Sequence, residues 1–108
     1  MKILKFLLIV SLLSISKNII TFADEAKMKK GLEIFNETAA CAACHILKAA
    51  GSQGNIGPNL DTVSMTIESV IDMVTNGLGV MPAFGEGDML TKEEIETVSY
   101  FVVNSVKG

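Results

Sequence analysis

The sequence has few of the side chains that usually build a stable core or a covalent framework. Its 108 residues include no Trp, one Tyr, two Cys and one His, and only 6% are aromatic. Two cysteines are too few for a disulfide-rich scaffold. Nine Lys and 12 acidic residues give a formal net charge of −3, which argues against a nucleic-acid binder. A charged content of only 19% argues against disorder, so we expect one small globular domain, or a very small membrane protein, with few bulky core residues.

Residues 1–23 have the layout of a secretory signal peptide. Two lysines precede an apolar run over residues 6–15, and small residues stand one and three positions before Asp24. An uncleaved membrane anchor is the alternative, although the run is short for a bilayer span. Cleavage before Asp24 would leave residues 24–108 as the domain. Six Lys and 12 acidic residues would then give that domain a formal charge of −6.

Three stretches after this leader have apolar residues at helical spacing. The first covers residues 28–39, the second follows a plausible N-cap at Thr66, and the third follows a capping-box pattern at Thr91. Loops rich in glycine separate them at residues 51–62 and 76–88. Because no stretch alternates between apolar and polar residues with period two, we predict an all-α fold.

Five consecutive residues, Cys41-Ala42-Ala43-Cys44-His45, hold both cysteines and the single histidine. C-x-x-C-H is the attachment sequence for c-type haem, in which two thiols bond to the macrocycle and the histidine binds the iron. A structural zinc site needs four ligands, usually Cys and His, and this chain has only three such residues. A redox C-x-x-C is expected in a βαβ context, which the sequence does not indicate. We therefore predict one haem c bound through Cys41 and Cys44. A plain disulfide is the alternative, and it would leave His45 unexplained.

The second axial position of such a haem needs its own ligand, and methionine is an established partner of histidine there. Met81 lies in an irregular segment between Gly79 and Pro82, where neither a helix nor a strand forms easily. Gly77 and Gly79 allow the backbone to approach a flat ligand closely. The other methionines after the leader lie on helical faces or beside helix starts, where they usually fill the core. We predict Met81 as the ligand opposite His45, with core packing as the alternative role.

Three motifs together resemble class I c-type cytochromes: C-A-A-C-H, then Gly-Pro-Asn-Leu at residues 57–60, then the segment 76–84 around Met81. Residues 67–84 are similar to cytochrome c6 (c-553) and related small bacterial monohaem cytochromes. The resemblance covers almost all of residues 24–108. It implies three to five helices around one covalent haem, with His45 and Met81 as axial ligands. Unlike most cytochromes c6, this chain has the Gly-Pro-Asn-Leu element.

The resemblance implies two further contacts. The carbonyl of Pro58 would accept a hydrogen bond from the ring nitrogen of His45 that does not bind iron. The first and last helices would pack together at Gly31, Phe35 and Phe101. That packing would explain a glycine inside a helix, which otherwise costs about 1 kcal/mol relative to alanine.

With both axial positions filled by protein, iron offers no open site for a substrate, so we expect an electron-transfer protein and not an enzyme. We expect a soluble monomer that carries electrons between redox complexes in a bacterial periplasm, or alternatively a thylakoid lumen. The expected partners are a quinol-oxidising complex, a terminal oxidase, a photosystem or a dehydrogenase, with no nucleic acid and no stable membrane anchor. An electron-accepting subunit or dedicated partner of a periplasmic dehydrogenase is the main alternative, and a haem sensor or peroxidase is a further one.

A redox partner would approach the exposed edge of the haem, where we expect a rim of small or apolar residues. Such encounters are small, typically under about 1,200 Å², since the carrier must leave quickly. The negative charge of the domain either steers this encounter or only keeps the protein soluble. The predicted rim consists of Ala42, Ala43, Ile46, Leu47, Leu78 and Pro82.

Overall fold

The computed structural model describes residues 22–106, which form three α-helices and the shorter elements and loops that connect them. Helix α1 covers residues 22–33 and continues into a π-helical turn at Ile34–Thr38. Helix α2 covers Ile67–Asn76, and helix α3 covers Lys92–Ser105. The predicted leader lies outside the described residues, apart from its last two positions at the start of α1.

Short elements connect α1 to α2. Three 3₁₀ helices cover Cys41–Ala43, Lys48–Ala50 and Leu60–Thr62. Between them, strands β1 (Ile46–Leu47) and β2 (Ser52–Gln53) pair in antiparallel fashion. The predicted all-α class is confirmed for the helices, but the small sheet was missed because two-residue strands are too short to show a period of two.

Helices α2 and α3 begin at the caps that the sequence predicts. The N–H of Ser69 donates to Oγ1 of Thr66, and the N–H of Glu94 donates to Oγ1 of Thr91, both at 3.1 Å. Each Ser69 and Glu94 side chain accepts the N–H of its cap residue in return. Such a cap typically contributes about 1 kcal/mol to stability.

Helix α1 packs against α3 at the predicted glycine. A Cβ atom at Gly31 would collide with the Cβ of Phe101 and lie 3.0 Å from the carbonyl oxygen of Thr97. Beside this crossing, the rings of Phe35 and Phe101 are tilted by 59° with centroids 5.9 Å apart. The predicted contact of the first and last helices is therefore confirmed, and close approach explains the glycine.

The core of the described chain is built mainly from medium-sized side chains. Of its 12 buried apolar residues, five are valines and three are phenylalanines. Such a core has little aromatic area to bury, as the composition suggests. Among residues 22–106, no helix is long and apolar enough to cross a membrane.

Candidate haem site

The attachment motif forms a single tight turn. Ala40 enters it in the left-handed conformation, with φ at 52°. The N–H groups of Cys44 and His45 then both donate to the carbonyl of Cys41, at 3.1 and 3.0 Å. This turn presents two free, partly buried thiols within one helical turn and places the histidine directly after them.

The thiol of Cys41 lies in an apolar environment. Burial raises its pKa to about 11, and the neighbouring Cys44 thiol adds to that rise. Cys41 and Ala42 both pack against the hydrophobic core. Cys41 therefore lies where an apolar macrocycle attached to it would have apolar neighbours.

The imidazole of His45 is held at one nitrogen. Its Nδ1 lies 2.8 Å from the carbonyl oxygen of Pro58. A carbonyl can only accept, so Nδ1 carries a proton, and in the neutral tautomer with that proton Nε2 has the lone pair that a metal needs. Gly57 lies directly against the ring, because a Cβ there would be 2.5 Å from Cε1. The Gly-Pro pair thus supplies both the space for the ring and its hydrogen-bond acceptor.

Met81 is positioned by backbone geometry. It closes a turn with Leu78, in which the two residues exchange N–H···O bonds of 3.2 and 3.0 Å. Gly77 and Gly79 have φ of 69° and 60°, and a Cβ at Gly77 would lie 2.5 Å from the Met81 carbonyl oxygen. The side chain of Met81 is partly buried and packs against the core.

The structure brings four of the predicted site residues into one cluster, namely both cysteines, His45 and Pro58. Met81 reaches the same core from its separate turn. Gly54, which the sequence-based predictions did not include, also lies directly against the motif. A Cβ at Gly54 would lie 2.5 Å from the Ala43 carbonyl oxygen, and its position in the glycine-rich loop was the available signal.

The prediction that Leu47 belongs to the docking rim is wrong. Leu47 is fully buried, because it pairs with Ser52 in the small sheet and its side chain belongs to the core. Leu78 is 71% exposed as expected. Two apolar residues that the prediction omitted are also exposed, Ile56 at 69% and Val80 at 86%. Ile56 directly precedes the Gly57-Pro58 pair and Val80 directly precedes Met81. These positions in the sequence were the available signal that both residues lie near the site.

The site residues fit a haem in their chemistry. The cluster offers a histidine whose Nδ1 is hydrogen-bonded to the Pro58 carbonyl, two thiols one turn apart, and small alanine side chains beside them. Together with the three helices and a methionine on a separate turn, these features define a class I c-type cytochrome.

Comparisons with known proteins agree with this class. Residues 26–102 match the family model described as "Cytochrome C oxidase, cbb3-type, subunit III". The chain is 34% identical over 90 residues to the chloroplastic cytochrome c6 of Chlamydomonas reinhardtii, covering 74% of this chain. It is 36% identical over 74 residues to cytochrome c6 of Rippkaea orientalis, covering 61% of this chain. These alignments span 55% and 61% of the two relatives' own lengths.

A solved structure is also similar. The crystal structure of the c-type cytochrome SorU from Sinorhizobium meliloti superposes with a TM-score of 0.69 at 44% identity, covering 76% of this chain and 93% of that one. The chain therefore belongs to the cytochrome c family, as a class I c-type cytochrome that resembles cytochrome c6. Its cofactor is one covalent haem c.

Proposed function

We propose that this cytochrome carries single electrons between redox protein complexes, with His45 and Met81 as the two axial ligands of its haem. The observation that carries the proposal is the 2.8 Å contact between Nδ1 of His45 and the Pro58 carbonyl. That contact orients the ring, fixes its tautomer and increases its basicity as a ligand. A histidine that binds no metal would not need its ring fixed by a carbonyl at Nδ1 and by Gly57 against one edge.

Each residue has a defined part in this function. The bound haem supplies a couple between Fe(III) and Fe(II). Cys41 and Cys44 would keep it attached, and His45 would bind the iron with its ring orientation set by Pro58. The thioether of Met81 raises the reduction potential, as methionine ligation does in cytochromes c. Because the protein would supply both iron ligands, electrons would enter and leave without a change of ligands.

The partner would dock on an uncharged apolar surface. Lys48 is the sole Lys, Asp or Glu within residues 38–60, and residues 73–85 contain none. Ile56, Leu78 and Val80 project from these two segments, one of which holds His45 and the other Met81. We therefore expect a redox partner whose own docking face is apolar around its electron-transfer centre. The acidic residues lie outside both segments and would act at longer range.

We further propose that residues 24–108 form the mature domain and act in a periplasm or lumen. This follows from the leader-like composition of residues 1–23 and from the covalent haem, which is typically attached in exported proteins. Mass spectrometry of the mature protein tests cleavage before Asp24, because an uncleaved anchor would retain the full leader mass.

Visible spectroscopy of the protein expressed with a haem-maturation system tests the ligand set. The oxidised form should show a weak far-red band from the bond between methionine and Fe(III), and Met81→Ala should abolish it. Met89→Ala is the matched control, because that methionine is 49% exposed, and it should leave the band unchanged. Survival of the band in Met81→Ala would contradict the assignment. Rapid CO binding by the reduced native protein would instead indicate an open axial site and favour a sensor or peroxidase.

A further inference from the structure

We infer that Ser52 is a positioning residue for His45, because its hydroxyl holds the backbone from which the imidazole projects. The inference rests on the proposed role of His45 as an axial ligand. Ser52 lies seven residues after His45, the last residue of the attachment motif, and it belongs to strand β2.

The Ser52 hydroxyl makes two short hydrogen bonds to the chain at the histidine. It donates to the main-chain carbonyl of His45 at 2.8 Å and accepts the N–H of Leu47 at 2.9 Å. The carbonyl of Leu47 is a more distant acceptor, at 3.3 Å. Since a hydroxyl has one proton, the shorter bond to His45 takes it. The hydroxyl is partly buried, so a lost partner would not be fully replaced by water.

The hairpin places this hydroxyl where it can act. Leu47 lies opposite Ser52 in the antiparallel pair, and the sheet has one further pair. Gly51 adopts a φ of 67° and donates its N–H to the carbonyl of Lys48 at 3.0 Å, which turns the chain back toward β1. In so short a sheet, the serine side chain bonds to main-chain groups on both sides of Ile46. The Ser52 hydroxyl thereby links the carbonyl of His45 to the N–H of Leu47.

His45 is consequently fixed at two separate points. Pro58 holds the ring at Nδ1, and Ser52 holds the main-chain carbonyl. Beyond them, Leu47 is anchored by full burial, and the N–H of Lys48 donates to Oδ2 of Asp61 at 2.9 Å. Loss of the Ser52 hydroxyl would release the His45 carbonyl while the other anchors stay. We expect the ring to change its orientation in a fold that is otherwise kept.

Two isosteric variants isolate the hydroxyl in the haem-loaded protein. Ser52→Thr keeps the hydroxyl, and Ser52→Val replaces it with a methyl group on a side chain of the same shape. Electron paramagnetic resonance of the oxidised protein reports the orientation of the axial ligands through its g-values. Ser52→Thr should keep the wild-type g-values, and Ser52→Val should shift them. Exchange of the Leu47 amide hydrogen should be about fivefold faster in Ser52→Val, as expected for loss of one hydrogen bond.

Ser105→Ala is the matched control. Its hydroxyl donates to the carbonyl of Phe101 at 2.6 Å in α3, so the variant also loses a bond from serine to backbone. It should lower stability without changing the g-values. If Ser52→Val has the same g-values and the same Leu47 exchange rate as Ser52→Thr, the inference is wrong. If Ser52→Val attaches no haem, Ser52→Cys, a weaker donor of similar size, is compared with Ser52→Thr by the same criteria.

The wild-type spectrum separates this inference from the proposed function. Wild-type g-values that do not correspond to histidine and methionine ligation would contradict the proposed ligand set. The difference between the Thr and Val variants would still show whether the hydroxyl orients His45.

Discussion

The two sides of the proposed haem site are held by different kinds of interaction. On the His45 side, the proposed ligand residue itself donates a hydrogen bond to the Pro58 carbonyl and accepts one from the Ser52 hydroxyl. On the Met81 side, a turn closed by backbone bonds with Leu78 carries the proposed ligand. The difference follows from the ligands, because an imidazole has a second nitrogen that needs a partner, whereas a thioether is at most a weak acceptor. A histidine must be oriented, and a methionine needs mainly to be placed.

Glycine serves the two sides for different reasons. At Gly57 the reason is space, since the His45 ring occupies the volume that a Cβ would need. At Gly79 the reason is conformation, since φ is 60° and no other part of the described chain approaches a Cβ there within 4 Å. Substitutions at these two positions can therefore separate a steric cost from a backbone cost.

The largest effect is expected from Gly57→Ala. The added Cβ would lie 2.5 Å from Cε1 and 2.9 Å from Nδ1 of His45, so either the ring or the loop must move. Overpacking of this kind costs about 3 kcal/mol at the upper end of its usual range. Guanidinium unfolding of the haem-loaded protein should show this loss, and the ring nitrogen signals of His45 should shift in nuclear magnetic resonance spectra. A loss no greater than that of Gly79→Ala would refute the steric explanation.

A smaller effect is expected from Gly79→Ala. The substitution should cost about 1–2 kcal/mol, the usual penalty for a side chain in the left-handed region. Gly79→Asn should cost less, because asparagine tolerates this conformation better. The far-red methionine band should persist in both variants. Equal losses of unfolding free energy for the alanine and asparagine variants would show that conformation is not the reason for this glycine.

The smallest effect on stability is expected from Val80→Lys. At 86% exposure, this residue should change the unfolding free energy by less than about 0.5 kcal/mol. The variant should nevertheless exchange electrons several-fold more slowly with a gold electrode that carries a methyl-terminated monolayer, which imitates an apolar docking face. Val63→Lys places the same charge on another exposed apolar residue and should leave the rate near that of the wild type. Equal slowing by both variants would contradict docking at the Met81 turn.

Several features were predictable because a local pattern specifies them. Thr66 and Thr91 cap their helices through side chains three residues away, so the required atoms lie close together in the sequence. Gly31 was identified because a glycine on an apolar helical face needs a close neighbour, and the resemblance supplied Phe101. The contact of His45 with Pro58 was expected from the same resemblance and is present in the structure.

Other features depend on how the chain folds back on itself. Leu47 was placed on the docking rim because it is apolar and adjacent to the motif, yet pairing with Ser52 directs it into the core. Ser52 itself carries no sequence signal, because serine is common in loops and its two partners are identified only after β2 meets β1. The exposure of Ile56 and Val80 likewise depends on which way each loop turns.

The sequence by itself determined the chemistry of this protein. Two thiols and one imidazole have the identity and spacing of a c-type haem attachment sequence, and Met81 on a separate loop is the predicted second ligand. The tertiary structure alone decided how those groups are held. Hydrogen bonds such as that from Ser52 to His45 need distances within a few tenths of an ångström, and contacts such as Gly57 against the imidazole need a particular loop path. Both arise from packing between segments distant along the chain, which no local pattern records.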